Sequence, residues 1–445
     1  MDDKQQMQQE KREARRKRRV RNQVIAYLGV LLMITAAAAG IVLGVRYLTE
    51  ARREAEEDQQ NSQAVLAELI GNEEEIRMPE PESESEPEPE KTPEQMLDEI
   101  VNAGIEAMPL EDKVAALFIV TPEAITGVSA AVRAGDGTRE ALEKYPVGGL
   151  IYSAKNIQSE EQFKEMLANT ELYTMYPTFL AVREEGGELS TLAGKGIGTA
   201  VDSAGALGQG GDTDAAYQAG IMLGENLSGM GLNLNFAPVA DVLTAADGFL
   251  GERSFGSDAA LVGSLAVSVM SGMESQGVTS CIKHFPGMGS AKEDPEKGQS
   301  STDRTEEEFR NVEFPAFQAV IDAGADMIMV SNMEAKALTE NSEPYEPCVF
   351  SKKLVTDILR GEMGYGGVVI TDALNMTAIS EYYGSEEAAV AALKAGCDMI
   401  LMPENFEEAY NGVLQAVQDG VISEERIDDA LRRIYRIKFA DRIRN

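Results

Sequence analysis

From Thr92 onward, short β-rich apolar runs alternate with longer amphipathic stretches, and this alternation limits the possible folds more than any other feature. The runs are Leu117–Val120, Gly149–Tyr152, Phe179–Val182, Leu232–Phe236, Ser280–Phe285, Met327–Ser331, Val368–Thr371 and Met399–Met402. Strands this continuously apolar are covered on both faces, as in a parallel sheet. Asp214–Met230, Ala259–Glu274, Glu306–Ala323 and Glu386–Ala395 carry the helical spacing that would provide the cover. Eight strand–helix units in about 350 residues predict a single (β/α)8 barrel over 92–445 rather than an open doubly wound sheet.

A barrel brings the C-terminal ends of its strands to one mouth, so polar residues at those ends are the first candidates for a site. Arg183, Glu184 and Glu185 follow the third run, and Asp241 follows the fourth. Lys283 and His284 end the fifth, Asn332 the sixth and Asp372 the seventh. Taken singly each has a plain alternative: an Asp after a strand often caps the next helix, and other charges are simply solvated. The repeated placement favours a site. His284 is the only histidine of the chain and the three cysteines are scattered, which disfavours a metal centre. Cys281, Cys348 and Cys397 sit in apolar surroundings and read as small buried hydrophobes rather than a disulfide framework.

The N-terminal part has another character. Residues 1–23 form a basic tail with the block KREARRKRRVR at 11–21, and Val24–Val45 then runs without a charge. About 22 residues of helix span a ~30 Å hydrocarbon core, so 24–46 reads as a membrane anchor. The positive-inside rule keeps the tail cytoplasmic and places the barrel outside the membrane. Residues 47–91 read as a short helical stalk followed by the Pro/Glu linker PEPESESEPEPEK, which is extended by its proline and its self-repulsion. The net charge of −35 argues against nucleic acid as a partner.

Several motifs then fall in a familiar order. KHFPG occupies 283–287, NFAPVADV 235–242, RSFG 253–256 and TDALNM 371–376; MPLEDKVAALFIV at 108–120 and VGGLIYSAKNI at 147–157 precede them. This set resembles glycoside hydrolase family 3 across 100–445, and within it the single-domain bacterial β-N-acetylhexosaminidases. The resemblance implies a retaining glycosidase without a cofactor, acting on a carbohydrate such as an amino-sugar glycan of the cell wall. Asp372 matches the family's nucleophile, and Arg253, Lys283 and His284 match positions that bind sugar hydroxyls.

Five positions depart from the family pattern. The family's acid/base histidine in its Asp-x-His dyad corresponds to Glu296, with Asp294 in the aspartate's place. The second histidine of KHFPGHG is Met288, the aspartate of DxEGG is Arg183, its downstream arginine is Thr191, and a frequent histidine after strand six is Asn332. Glu296 becomes the internal candidate for the acid/base, against the alternative of a solvated charge on an acidic loop. Three readings follow: an active exo-β-N-acetylhexosaminidase, a catalytically silent barrel that binds glycan, or an anchored scaffold for a protein partner. The prolines and glycines of 286–303 predict a loop able to move over the mouth.

Overall fold

The computed structural model describes residues 91–245, 248–340 and 345–440. The expected tail, membrane span and stalk, with all but the last residue of the linker, lie outside the described residues. Among the described residues no helix is long and apolar enough to cross a membrane.

Eight parallel strands form a nearly closed barrel: β1 (Phe118–Val120), β2 (Gly149–Ile151), β3 (Phe179–Val182), β4 (Leu234–Asn235), β5 (Thr279–Phe285), β6 (Met327–Val330), β7 (Val368–Thr371) and β8 (Ile400–Leu401). Each pairs with the next in sequence up to β7, and β8 pairs back onto β1 in the register Phe118 to Ile400. A single parallel bridge from Ile370 to Met399, the residue before β8, joins the remaining seam. Side chains of the strands are almost all buried, as a barrel filled from within and sheathed by helices requires.

The elements follow from local sequence. Thr92 caps helix Pro93–Glu106 by accepting the Gln95 N–H, and Asp212 and Asp258 cap helices Thr213–Ser228 and Ala259–Glu274 in the same manner. β4 is shorter than its apolar run by Leu232 and Asn233 at its start and Phe236 at its end. The Ala237 and Pro238 carbonyls still accept from Cys281 and Lys283, and Ala240 N–H donates to the Lys283 carbonyl. The expected helix over Glu306–Ala323 is two helices, Glu306–Asn311 and Glu313–Asp322. Pro315 has no N–H to offer the Asn311 carbonyl, so the ladder breaks there.

Beneath the strands, Asp398 is fully buried and gathers Arg360, Arg426 and Arg433 at 2.5, 3.3 and 3.1 Å, together with the Val369 N–H at 3.0 Å. This cluster ties helices Lys353–Glu362 and Glu424–Ala440 to the seam between β7 and β8. Cys281, Cys348 and Cys397 are all buried and free, and burial raises each thiol's pKa.

Candidate active site

The mouth of the barrel is organised around one buried anion. After β3 the chain turns through Gly186 and Gly187 at φ +86° and +59°. A Cβ on Gly186 would stand 2.4 Å from the Asp202 carbonyl oxygen, so the turn requires glycine. The two glutamates before it divide the work. Glu184 accepts the N–H groups of Leu192 and Ala193 at 2.7 and 3.2 Å and so holds the following loop. Glu185 lies among the cations: its carboxylate takes Lys283 Nζ at 2.6 Å and grips Arg253 through Nε and Nη2, both at 2.9 Å.

The electrostatics follow from that geometry. Burial alone would raise the Glu185 pKa, but the Lys283 and Arg253 charges outweigh it and hold the carboxyl well below the usual range. For Lys283 burial dominates and lowers the pKa, against the pull of Glu185. Glu185 is the counter-charge that lets two cations stand together at the mouth of an apolar barrel.

His284 is fixed by Asp241. Its Nδ1 lies 2.8 Å from Asp241 Oδ2, while Asp241 Oδ1 accepts the backbone N–H groups of His284 and Met288 at 3.2 and 2.8 Å. Arg253 Nη2 stands 3.5 Å from His284 Nε2, and a guanidinium can only donate. The ring is therefore assigned its proton on Nδ1, with the Nε2 lone pair turned toward Arg253.

Asp372, just past β7, is buried, and its Oδ1 accepts the Ala373 N–H at 2.8 Å. It is not a helix cap: the next helix, Thr377–Ser380, has Met376 at its N-cap. The Asp372 charge is felt by Arg253, where burial is the largest influence and Glu185, Asp241 and Asp372 oppose it.

Arg253, Lys283, His284, Glu296 and Asp372 all line one cavity of about 410 Å³, whose wall also includes Arg183, Met288 and Asp294. That size suits a small ligand. Glu296 stands apart from the buried group. It is about half exposed and pairs with Arg183 Nη1 at 3.5 Å. The backbone beneath it is anchored: Thr377 Oγ1 donates to the Glu296 carbonyl at 2.8 Å and Ala378 N–H to that of Pro295 at 3.1 Å. The loop is also stitched to the barrel at Ser301–Thr302, which pairs with Glu334–Ala335. Asn332 lies behind this wall, donating to the Ala373 carbonyl at 2.8 Å and so supporting the segment that carries Asp372.

Sequence reasoning gave catalytic or binding roles to five residues of this cavity but none to Glu185 or Asp241. The signal was present, since Glu185 belongs to the retained Glu-Gly-Gly and Asp241 closes NFAPVADV. Among the described residues no group of three or more His, Cys, Asp or Glu side chains is arranged to hold a metal ion.

Fold and site together define a parallel α/β barrel with a carboxylate and a braced Lys–Arg–His cluster in one cavity at its C-terminal mouth. The chain belongs to glycoside hydrolase family 3: the family's profile, described as the glycosyl hydrolase family 3 N terminal domain, matches residues 109–437. It is 27% identical over 331 residues to a beta-hexosaminidase A of Pseudoalteromonas piscicida, covering 67% of this chain and 54% of that protein. A beta-hexosaminidase of Stenotrophomonas maltophilia is 31% identical over 287 residues, which is 62% of this chain and 82% of the relative. Among solved structures, a glycoside hydrolase family 3 beta-N-acetylglucosaminidase from Paenibacillus sp. superposes with a TM-score of 0.71 at 32% identity, covering 76% of this chain and 64% of that one. The chain thus spans about half the length of the first of these relatives.

Proposed function

We propose that the protein is a retaining exo-β-N-acetylhexosaminidase acting on amino-sugar glycans such as those of the cell wall. The observation that carries this reading is Asp372, buried in the same cavity as Arg253, Lys283 and His284 within a family 3 barrel. In the reaction, the Asp372 carboxylate attacks the anomeric carbon as the glycosidic C–O bond breaks, giving a covalent glycosyl ester. Lys283 and Arg253 donate to the sugar hydroxyls, held in place by Glu185. Glu296 gives its proton to the departing oxygen, then takes one from the water that hydrolyses the ester. A retaining pair stands roughly 5–5.5 Å apart, and in this step the Glu296 carboxyl is directed at the glycosidic oxygen rather than at Arg183.

That same ion pair favours a second reading, a barrel that binds glycan without turning it over, because it engages the candidate proton donor with Arg183. Assay of the full chain on a chromogenic β-N-acetylglucosaminide separates the two. Hydrolysis by the wild type, lost in Asp372→Asn, is the expected result; glycan binding with no turnover selects the second reading. The uncharged run 24–45 behind a basic block supports a membrane anchor with the barrel outside. Recovery of the full chain in the soluble fraction would contradict the anchor.

A further inference from the structure

The cavity is richer in cations than the chain that surrounds it. Lys155, Arg183, Arg253 and Lys283 line it beside Asp294, Glu296 and Asp372, whereas the whole chain has 75 acidic and 40 basic residues. Arg253 and Lys283 are committed to Glu185. The other two are not buried, and each has a long ion pair: Lys155 to Glu123 at 3.4 Å, Arg183 to Glu296 at 3.5 Å. The Arg183–Glu296 pair is exposed on both sides, and exposed pairs contribute little, so an incoming anion displaces Glu296 readily. Arg183 directly follows β3 and faces the interior of the mouth: its charge, after burial and the Arg253 charge, adds to the lowering of the Lys283 pKa. The guanidinium offers a planar fork, and the group it now holds is a carboxylate.

We propose that Arg183 selects saccharides bearing a carboxylate, which it binds in the place Glu296 occupies in the free protein. The exchange releases the Glu296 side chain toward the glycosidic oxygen, so that binding of the acidic group and supply of the proton donor are one event. Glu296 moves only its side chain, because its backbone is pinned through Thr377 and its neighbour Pro295 through Ala378. This rests on the glycosidase reading of the cavity.

The test compares three substrates with the full chain: 4-nitrophenyl N-acetyl-β-glucosaminide, its derivative oxidised to a carboxylate at C6, and the parent sugar on a carboxylated nitrophenol. The two acidic substrates distinguish a carboxylate on the ring held in the cavity from one on the leaving group. The expected result is a kcat/KM at least tenfold higher for one acidic substrate than for the neutral one. Arg183→Gln should lower that ratio at least tenfold, and Arg183→Lys should recover part of it. Ratios near one in the wild type, or a ratio untouched by Arg183→Gln, overturn the proposal while leaving the glycosidase reading standing. If no substrate is turned over, calorimetric titration with glucuronic acid and with N-acetylglucosamine takes its place. An Arg183-dependent preference for the acid then supports carboxylate binding in a silent barrel, and no preference overturns it.

Discussion

At the residue scale the site depends on Glu185, whose nearly enclosed carboxylate holds two cations. Removing one member of such a buried cluster is far more costly than never having built it, because the remaining charges are stranded. Glu185→Gln removes the carboxylate that both Lys283 and Arg253 bind, and a stability loss of about 3–5 kcal/mol is expected in chemical denaturation. A loss below about 1 kcal/mol would place the pair in solvent instead. The pH dependence has a definite sign. Because the folded pKa of Glu185 lies below its ordinary 4.5, its contribution is present above that value and fades as pH falls toward the folded pKa. Lys283, His284 and Asp372 stood out in the sequence because they lie at strand ends inside recognisable motifs, whereas Arg253, in the turn Gly251–Arg253 long after β4, stood out only through RSFG. Arg183 and Glu296 were each visible as departures, yet 113 positions separate them, and only the closed mouth shows them paired. Distance in space is what a strand pattern cannot supply.

At the element scale the strand runs were readable to within a residue or two, since each apolar run records its own burial. The largest departure is one helix: Pro315 divides the stretch predicted over Glu306–Ala323 into Glu306–Asn311 and Glu313–Asp322. The second of those helices matters to the site because its first residue, Glu313, lies fully buried under the turn that follows β5. There Gly287 has φ +121°, and a Cβ on it would stand 2.3 Å from Glu313 Cγ. Burial pushes the Glu313 pKa up to about 8, against the opposing charge of Arg304 at 3.2 Å. The folded state therefore keeps a proton that the unfolded chain releases near 4.5. That favours folding fully below this value and fades as pH rises toward 8. Thermal unfolding of the wild type should weaken across that interval, by on the order of 2–5 kcal/mol in all. Glu313→Gln should remove this slope; parallel profiles for the two proteins would show Glu313 ionised throughout.

At the scale of the molecule, the alternation of eight short strands with helices was enough to specify the barrel, because each strand–helix unit is encoded locally. Closure was not encoded so plainly: it depends on β8 pairing with β1 and on one bridge at Ile370. The Asp398 cluster clamps this seam with three arginines drawn from two helices. At the other end of the ring, Arg183, Met288, Thr191 and Glu296 line the same cavity as Asp372. The central claim is that Asp372 forms a covalent bond to the sugar. It is tested most directly by incubating the full chain with a 5-fluoro N-acetylglucosaminyl fluoride, which slows release of the glycosyl ester, and mapping the label by peptide mass spectrometry. The label is predicted on Asp372 and absent from Asp372→Asn. Turnover of substrate with the label on another residue, or with no label at all, would contradict the account.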